Sequence, residues 1–292
     1  MISYALSTSS FGGVSTPECV NALRKSKFRK FEMCFGVKAF SEELQLVCRN
    51  VRQLVKEGVM EIASIHMPFH NGTEWDASYP DEEIRKKIVA NHIKLLRDNA
   101  DFAGKLVTLH ASGEPPMEEH PERMDMINRT LEDLMPLAGE LDLTFNIEFL
   151  PRTCLGNCVE ELQQIIANFD PARVGVCMDV NHIMDRYREL PDIIDTLAPR
   201  INAFHICDYD GVDETHWIPG QGVYNWAGIL TSIRKIDHDV LLILETEMQL
   251  KRNARQIDPI FALRQNERAC WFMENFDRLN KEISSFVIPG NL

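Results

Sequence analysis

The chain of 292 residues is 45% hydrophobic and 26% charged, which excludes a disordered or fibrous protein and leaves room for one large domain or two small ones. Its 44 acidic and 31 basic side chains give a net charge of −13, a balance that repels nucleic-acid phosphates and anionic membranes and favours a small-molecule partner. MISYALSTSS at the start lacks a signal-peptide pattern, and no apolar run approaches the roughly 20 residues that cross a bilayer, so a cytoplasmic protein is expected.

Short β-type runs alternate with longer helical patterns along the chain, the signature of βα units and a parallel sheet. ISYALS (2–7) comes first, then FEMCF (31–35), followed by SEELQLVCRNVRQLVKEG. There Ser41 with Glu42 and Glu43 opens a helix, apolar residues recur at 44, 47, 51, 54 and 55, and Gly58 stops it. IASIHM (62–67), LVTLH (106–110) and TFNIEF (144–149) precede the helical patterns PDEEIRKKIVANHIKLLRDNADFAG, PERMDMINRTLEDLMPLAG and NCVEELQQIIANF. VGVCMD (174–179), NAFHIC (202–207) and VLLILE (240–245) complete eight strands. The tail 249–292 predicts a closing helix, with Leu263, Cys270, Trp271 and Phe272 available for packing, including against a partner in a homo-oligomer. No Pro/Gly/Ser-rich linker divides the chain. The expectation is an α/β protein: a single (β/α)8 barrel domain over 1–292 with a C-terminal helical extension.

The eight cysteines are scattered, several in apolar runs (Cys34, Cys177, Cys207), and the Cys154/Cys158 pair has no second pair nearby; all read as reduced thiols.

A barrel places its chemistry at the C-terminal ends of strands, and alternation tests that placement. Glu148 shares a face with Thr144 and Asn146, opposite Phe145, Ile147 and Phe149; Asp179 shares one with Gly175 and Cys177, opposite Val174, Val176 and Met178. Ser64 goes with His66 and Thr108 with His110. Large apolar residues therefore face outward, and a polar residue closes each inner face. Four successive strands end in Glu148, Asp179, His205 and Glu245. Three converging carboxylates repel unless compensated, and a single divalent cation (Mn2+, Mg2+, Co2+ or Zn2+) suits this oxygen and nitrogen set. Glu245 is preferred to Glu247 because it comes first after the apolar run.

NIEFL, MDVNH, FHICDYDG, HWIPGQG and ILETE resemble motifs of the xylose isomerase-like barrel superfamily, in its sugar epimerase and isomerase branch. The resemblance is specific over about residues 144–247 and loose before them. It implies Glu148, Asp179, His205 and Glu245 as metal ligands, with Glu148 and Glu245 also the catalytic acid/base pair, and His182 as a contact to substrate hydroxyls. Ketose 3-epimerases of that branch also carry an Arg shortly after the strand-seven His, and ICDYDGVDETHW has none. The substrate-binding candidates are completed by His66 and His110, which either orient a sugar hydroxyl, bind a further metal or are structural, and by His216 and Trp217, the latter as an apolar wall. Asp208 either bonds a ligand histidine or caps a helix. His70, His92, His120 and His238 read as surface or packing residues.

The expected chemistry is carbohydrate metabolism by a metal-dependent isomerase or epimerase, which abstracts a proton beside a carbonyl through a metal-stabilised enediolate. A keto sugar or polyol-derived compound is the partner. Two alternatives share the site. One is an inosose-type dehydratase. The other is an apurinic endonuclease-like phosphodiesterase with several zinc ions, for which His66, His110, His182 and an Asp213/His216 pair are available, though DETH is longer than the Asp-x-His that a third metal would use.

Overall fold

Eight parallel strands close into a barrel in sequence order, with the eighth pairing back to the first. The computed structural model describes residues 1–11, 14, 16–70, 72–247 and 258–285, the last four by backbone alone. The strands are β1 (Ile2–Ser7), β2 (Lys30–Cys34), β3 (Glu61–His66), β4 (Leu106–Leu109), β5 (Thr144–Glu148), β6 (Val174–Asp179), β7 (Ile201–Ile206) and β8 (Val240–Leu244). Helices α1 (Pro17–Leu23), α2 (Glu42–Lys56), α3 (Glu82–Asp98), α4 (His120–Leu141), α5 (Val159–Ile166), α6 (Leu190–Leu197) and α7 (Trp226–Lys235) alternate with them, and α8 (Pro259–Glu274) and α9 (Phe276–Ser285) follow β8.

The alternation expected from sequence is the alternation observed. Phe145, Ile147, Phe149, Val174, Val176 and Met178 belong to the main core between barrel and helices, while Ala5, Cys177, Ala203, Leu241 and Ile243 form a separate cluster inside the barrel. Leu241 and Ile243 depart from the expectation that large apolar residues face outward, while Glu32, Ser64, Thr108 and Asn146 are buried polar residues of the other strands. Gly175 is required here: a Cβ would lie 2.1 Å from Asn202 Nδ2, which donates to Asn146 Oδ1 at 2.9 Å. Ser41 caps α2 by accepting from the Leu44 N–H, and Asp81 caps α3 by accepting from Ile84 N–H.

Two expectations change. His110, Phe149, Cys207 and Glu245 lie just past the ends of their strands, where the ladder gives way to the loops of the mouth. The single closing helix is instead two, α8 and α9, parted at Asn275. Leu263 is buried, Cys270 and Phe272 pack against the core, and Trp271 is 49% exposed. Residues 249–257 and 286–292 of that expectation lie outside the described residues. Among the described residues no helix is long and apolar enough to cross a membrane.

Candidate metal centre and active site

Because β5 to β8 end side by side at the mouth, their terminal residues converge. One ligand atom from each of Glu148, Asp179, His205 and Glu245 lies within 4.8 Å of the others. His205 Nδ1 is 3.1 Å from Glu148 Oε1, 3.0 Å from Glu245 Oε2 and 3.6 Å from Asp179 Oδ2. Glu245 thus carries the carboxylate that reaches inward, whereas Glu247 is exposed and its N–H donates to the His216 carbonyl at 2.7 Å. Asp179 Oδ1 accepts from Asn181 N–H at 2.7 Å, but its Oδ2 is buried without a hydrogen-bond partner. An orphaned buried carboxylate oxygen beside a convergent N/O set is the environment a divalent cation fits.

Two further groups share members with this one: His66, His110 and Glu148, and Asp179, His182 and His216. His66 Nδ1 meets the Met67 carbonyl at 2.8 Å, so its Nε2 faces Glu148 Oε2 at 3.2 Å; His110 Nε2 is 3.0 Å from the same oxygen. His182 Nδ1 meets the Phe149 carbonyl at 2.8 Å and presents Nε2 to Glu214 Oε1 at 3.3 Å and Asp179 Oδ2 at 3.6 Å. The residue paired with His216 is Glu214, at 3.5 Å, rather than Asp213, which binds Arg152 at 3.2 Å. The acid beside His216 therefore stands at a Glu-x-His spacing, and neither it nor Asp213 belongs to the groups that could hold a metal ion.

Five carboxylates, counting Glu32 and Glu214, stand among five imidazoles, and protons on the imidazoles compensate them. Burial opposes charge on His66, but the hydrogen bond and charge of Glu148 reverse this and raise its pKa to about 9. His182 is likewise raised to about 9, against burial, chiefly by Asp179 and Glu214. His205 is pushed well above the ordinary range, burial being outweighed by the acidic groups around it. Burial holds His110 below its usual value despite Glu148, with the neighbouring His66 and His182 adding repulsion. Conversely, the surrounding imidazoles overcome burial to hold Glu148 well below the carboxylate range. Repulsion among the acids is thus relieved by imidazolium even without a metal, and a cation would take the place of those protons.

The centre opens into a cavity of about 480 Å3 walled by Glu114, Glu148, Glu214, Glu245 and Glu247, with Phe69 and Leu150 as apolar surface. His66, His110, His182 and His216 line it; Trp217 does not. The backbone of Trp217 is drawn away to pair with Asp208, at 2.6 and 2.9 Å. The aromatic wall is Phe69, 48% exposed and stacked on His110 with ring centroids 4.0 Å apart. His70, expected at the surface, also lines the cavity, while His120 is held between Glu161 at 2.7 Å and the Thr153 carbonyl at 3.0 Å. Arg152, from the loop after β5, is the guanidinium of the cavity wall and is ion-paired to Glu214 at 2.7 Å. Asp208 braces the loop after β7, accepting from Gly220 N–H at 2.8 Å and Trp226 Nε1–H at 2.9 Å. Arg152, Met184 and His216 adopt φ of 52°, 57° and 45°, the left-handed strain that clusters at functional mouths. Sequence reasoning missed Glu32, Phe69, Arg152 and Glu214.

Comparison with known proteins gives the same architecture. An uncharacterized protein of Methanocaldococcus jannaschii is 22% identical over 189 residues, 63% of this chain and 64% of that protein. One from Sinorhizobium fredii is 22% identical over 182 residues, 57% of this chain and 58% of that protein. The chain thus spans less than two thirds of these relatives. Among solved structures, D-psicose 3-epimerase from Clostridium cellulolyticum H10 superposes with a TM-score of 0.75 at 15% identity, covering 93% of this chain and 98% of that one. An L-ribulose 3-epimerase gives 0.73 at 15%, over 99% and 100%. Such identities carry the fold. The family model for the xylose isomerase-like TIM barrel matches residues 20–265, well beyond the stretch where motifs alone were specific, and this chain belongs to that family.

Proposed function

We propose that this protein is a divalent-metal-dependent sugar isomerase or epimerase that moves a proton on a carbon beside a carbonyl. The observation that supports it best is the convergence of Glu148, Asp179, His205 and Glu245 at the floor of a cavity sized for a small molecule and walled by carboxylates. These four side chains would hold the ion, which supplies positive charge to offset the oxyanion that develops as the proton leaves. Glu245, with 18% of its side chain exposed, receives the proton. Glu148, enclosed among four histidines, fixes the arrangement; it takes a proton from the imidazolium of His66, 3.2 Å away, and returns it to the carbon from the other side. Carboxylates of the wall accept hydrogen bonds from substrate hydroxyls, and Phe69 covers an apolar face of the sugar. The acidic wall, whose guanidinium is already paired, disfavours a phosphorylated substrate. With this reading go a place in carbohydrate metabolism and a reducing compartment such as the cytoplasm, which suits eight unpaired cysteines.

The test is incubation of the Mn2+-loaded chain with keto sugars and inososes in D2O. Deuterium at the carbon beside the carbonyl, dependent on Glu245, is expected; no exchange with any of them would contradict the proposal. A second reading, a phosphodiesterase with several metals, is favoured by the two flanking groups that share Glu148 and Asp179. Binding of two or three ions per chain together with cleavage of an abasic oligonucleotide would establish it instead.

A further inference from the structure

We infer that Glu32, inside the barrel on β2, is a positioning residue that sets which nitrogen of His205 meets the metal and how strongly it binds; this rests on the metal reading above. Glu32 Oε1 lies 3.1 Å from His205 Nε2, on the side of the ring opposite the three carboxylates that surround Nδ1. With the Nε2 proton donated to Glu32, the lone pair of Nδ1 points into the ligand group, and the charge of Glu32 makes that nitrogen a stronger donor.

The arrangement is built rather than incidental. Glu32 is fully buried, with no Lys or Arg hydrogen-bonded to it among the described residues. Its second oxygen accepts from Ser64 Oγ at 2.8 Å and Thr108 Oγ1 at 3.3 Å, so β2, β3 and β4 all fix the carboxylate. Pairing of β2 with β3 slips between Phe31 and Glu32: Phe31 opposes Ile62 but Glu32 opposes Ser64, which brings the hydroxyl beside the carboxylate. The ring is also held flat, since His66 stacks on His205 with centroids 5.4 Å apart and planes at 17°. Glu32 belongs to none of the convergent ligand groups and acts only through His205.

Calorimetric titration of the metal-depleted full chain with Mn2+ tests the inference, with circular dichroism checking the fold of each variant. Glu32→Gln keeps an acceptor for the Nε2 proton but loses the charge; it is expected to weaken Mn2+ binding about 10–100-fold. It is also expected to shift the visible absorption of the Co2+-loaded chain, which a purely structural role would leave unmoved. Ser64→Ala removes only the hydroxyl that steadies Glu32, should give a smaller loss in the same direction, and decides the question if Glu32→Gln does not fold. Folded variants with wild-type Mn2+ affinity and an unchanged Co2+ spectrum would overturn the role of Glu32 alone. A wild-type chain that binds neither ion would overturn the metal reading, and this inference with it.

Discussion

The two halves of the barrel contribute differently to the same centre. β5 to β8 supply three carboxylates and one imidazole that meet at a point, whereas β2, the end of β3 and the residue after β4 supply Glu32, His66 and His110, which grip members of that set from behind and beside. The later half holds the four convergent side chains, of which Glu148 and Glu245 line the cavity beside His66 and His110 of the earlier half. The earlier half determines how those groups are oriented and charged. On the proposed function, substitutions in the two halves should fail in different ways.

The largest separation is expected from Glu245→Gln, which removes the proton acceptor and should lower deuterium exchange about 10²–10⁴-fold in a variant whose circular dichroism shows it folded. In the earlier half, His66→Ala leaves Glu148 without one of its buried partners and should destabilise the metal-free chain by about 1–3 kcal/mol, read by denaturant unfolding. Turnover by the folded variant should fall far less than in Glu245→Gln. Equal losses of turnover would erase the division between the halves.

The imidazoles also give a pH test. His66 and His182 have pKa values near 9 in the folded chain and about 6.5 unfolded, so the stability they confer is fully present below about 6.5 and is lost as pH rises through 9. Thermal melts in a chelator should therefore fall across that window, and added Mn2+ should restore the melting temperature most at its alkaline end, where fewer protons must be displaced. A flat profile would show that imidazolium does not balance the acids. The smallest effect is expected from Phe69→Ala, which loses an aromatic wall worth about 0.5–1.5 kcal/mol and should raise KM about two- to tenfold with little change in kcat. Trp217→Ala should leave KM unchanged, since Trp217 is not among the residues that line the cavity.

What could be read from the sequence follows from how local each signal is. Strand parity exposed the architecture because every strand is covered on its outer face by helices, so Phe145, Ile147 and Val176 had to alternate with Asn146, Glu148 and Cys177. Strand-terminal Glu148 and Asp179 stood out because charge ends an apolar run, and His205 because it interrupts one. Glu32 did not, since a mid-strand carboxylate acquires meaning only when a bulge sets Ser64 beside it and the closed barrel brings β7 across. Glu214 was hidden for another reason: DETH offers two acids before His216, both pair with Arg152, and only the path of the loop decides that Glu214 also reaches His182 and His216. Trp217 was placed in the cavity by its aromatic character, whereas its backbone pairing with Asp208 carries it elsewhere.

Anomalous diffraction from crystals grown with Mn2+ and collected at the manganese edge addresses the centre itself. A single strong peak bonded to carboxylate oxygens of Glu148, Asp179 and Glu245 and to Nδ1 of His205 is the expected result. A chain that crystallises in saturating Mn2+ with no peak among those four side chains would contradict the account.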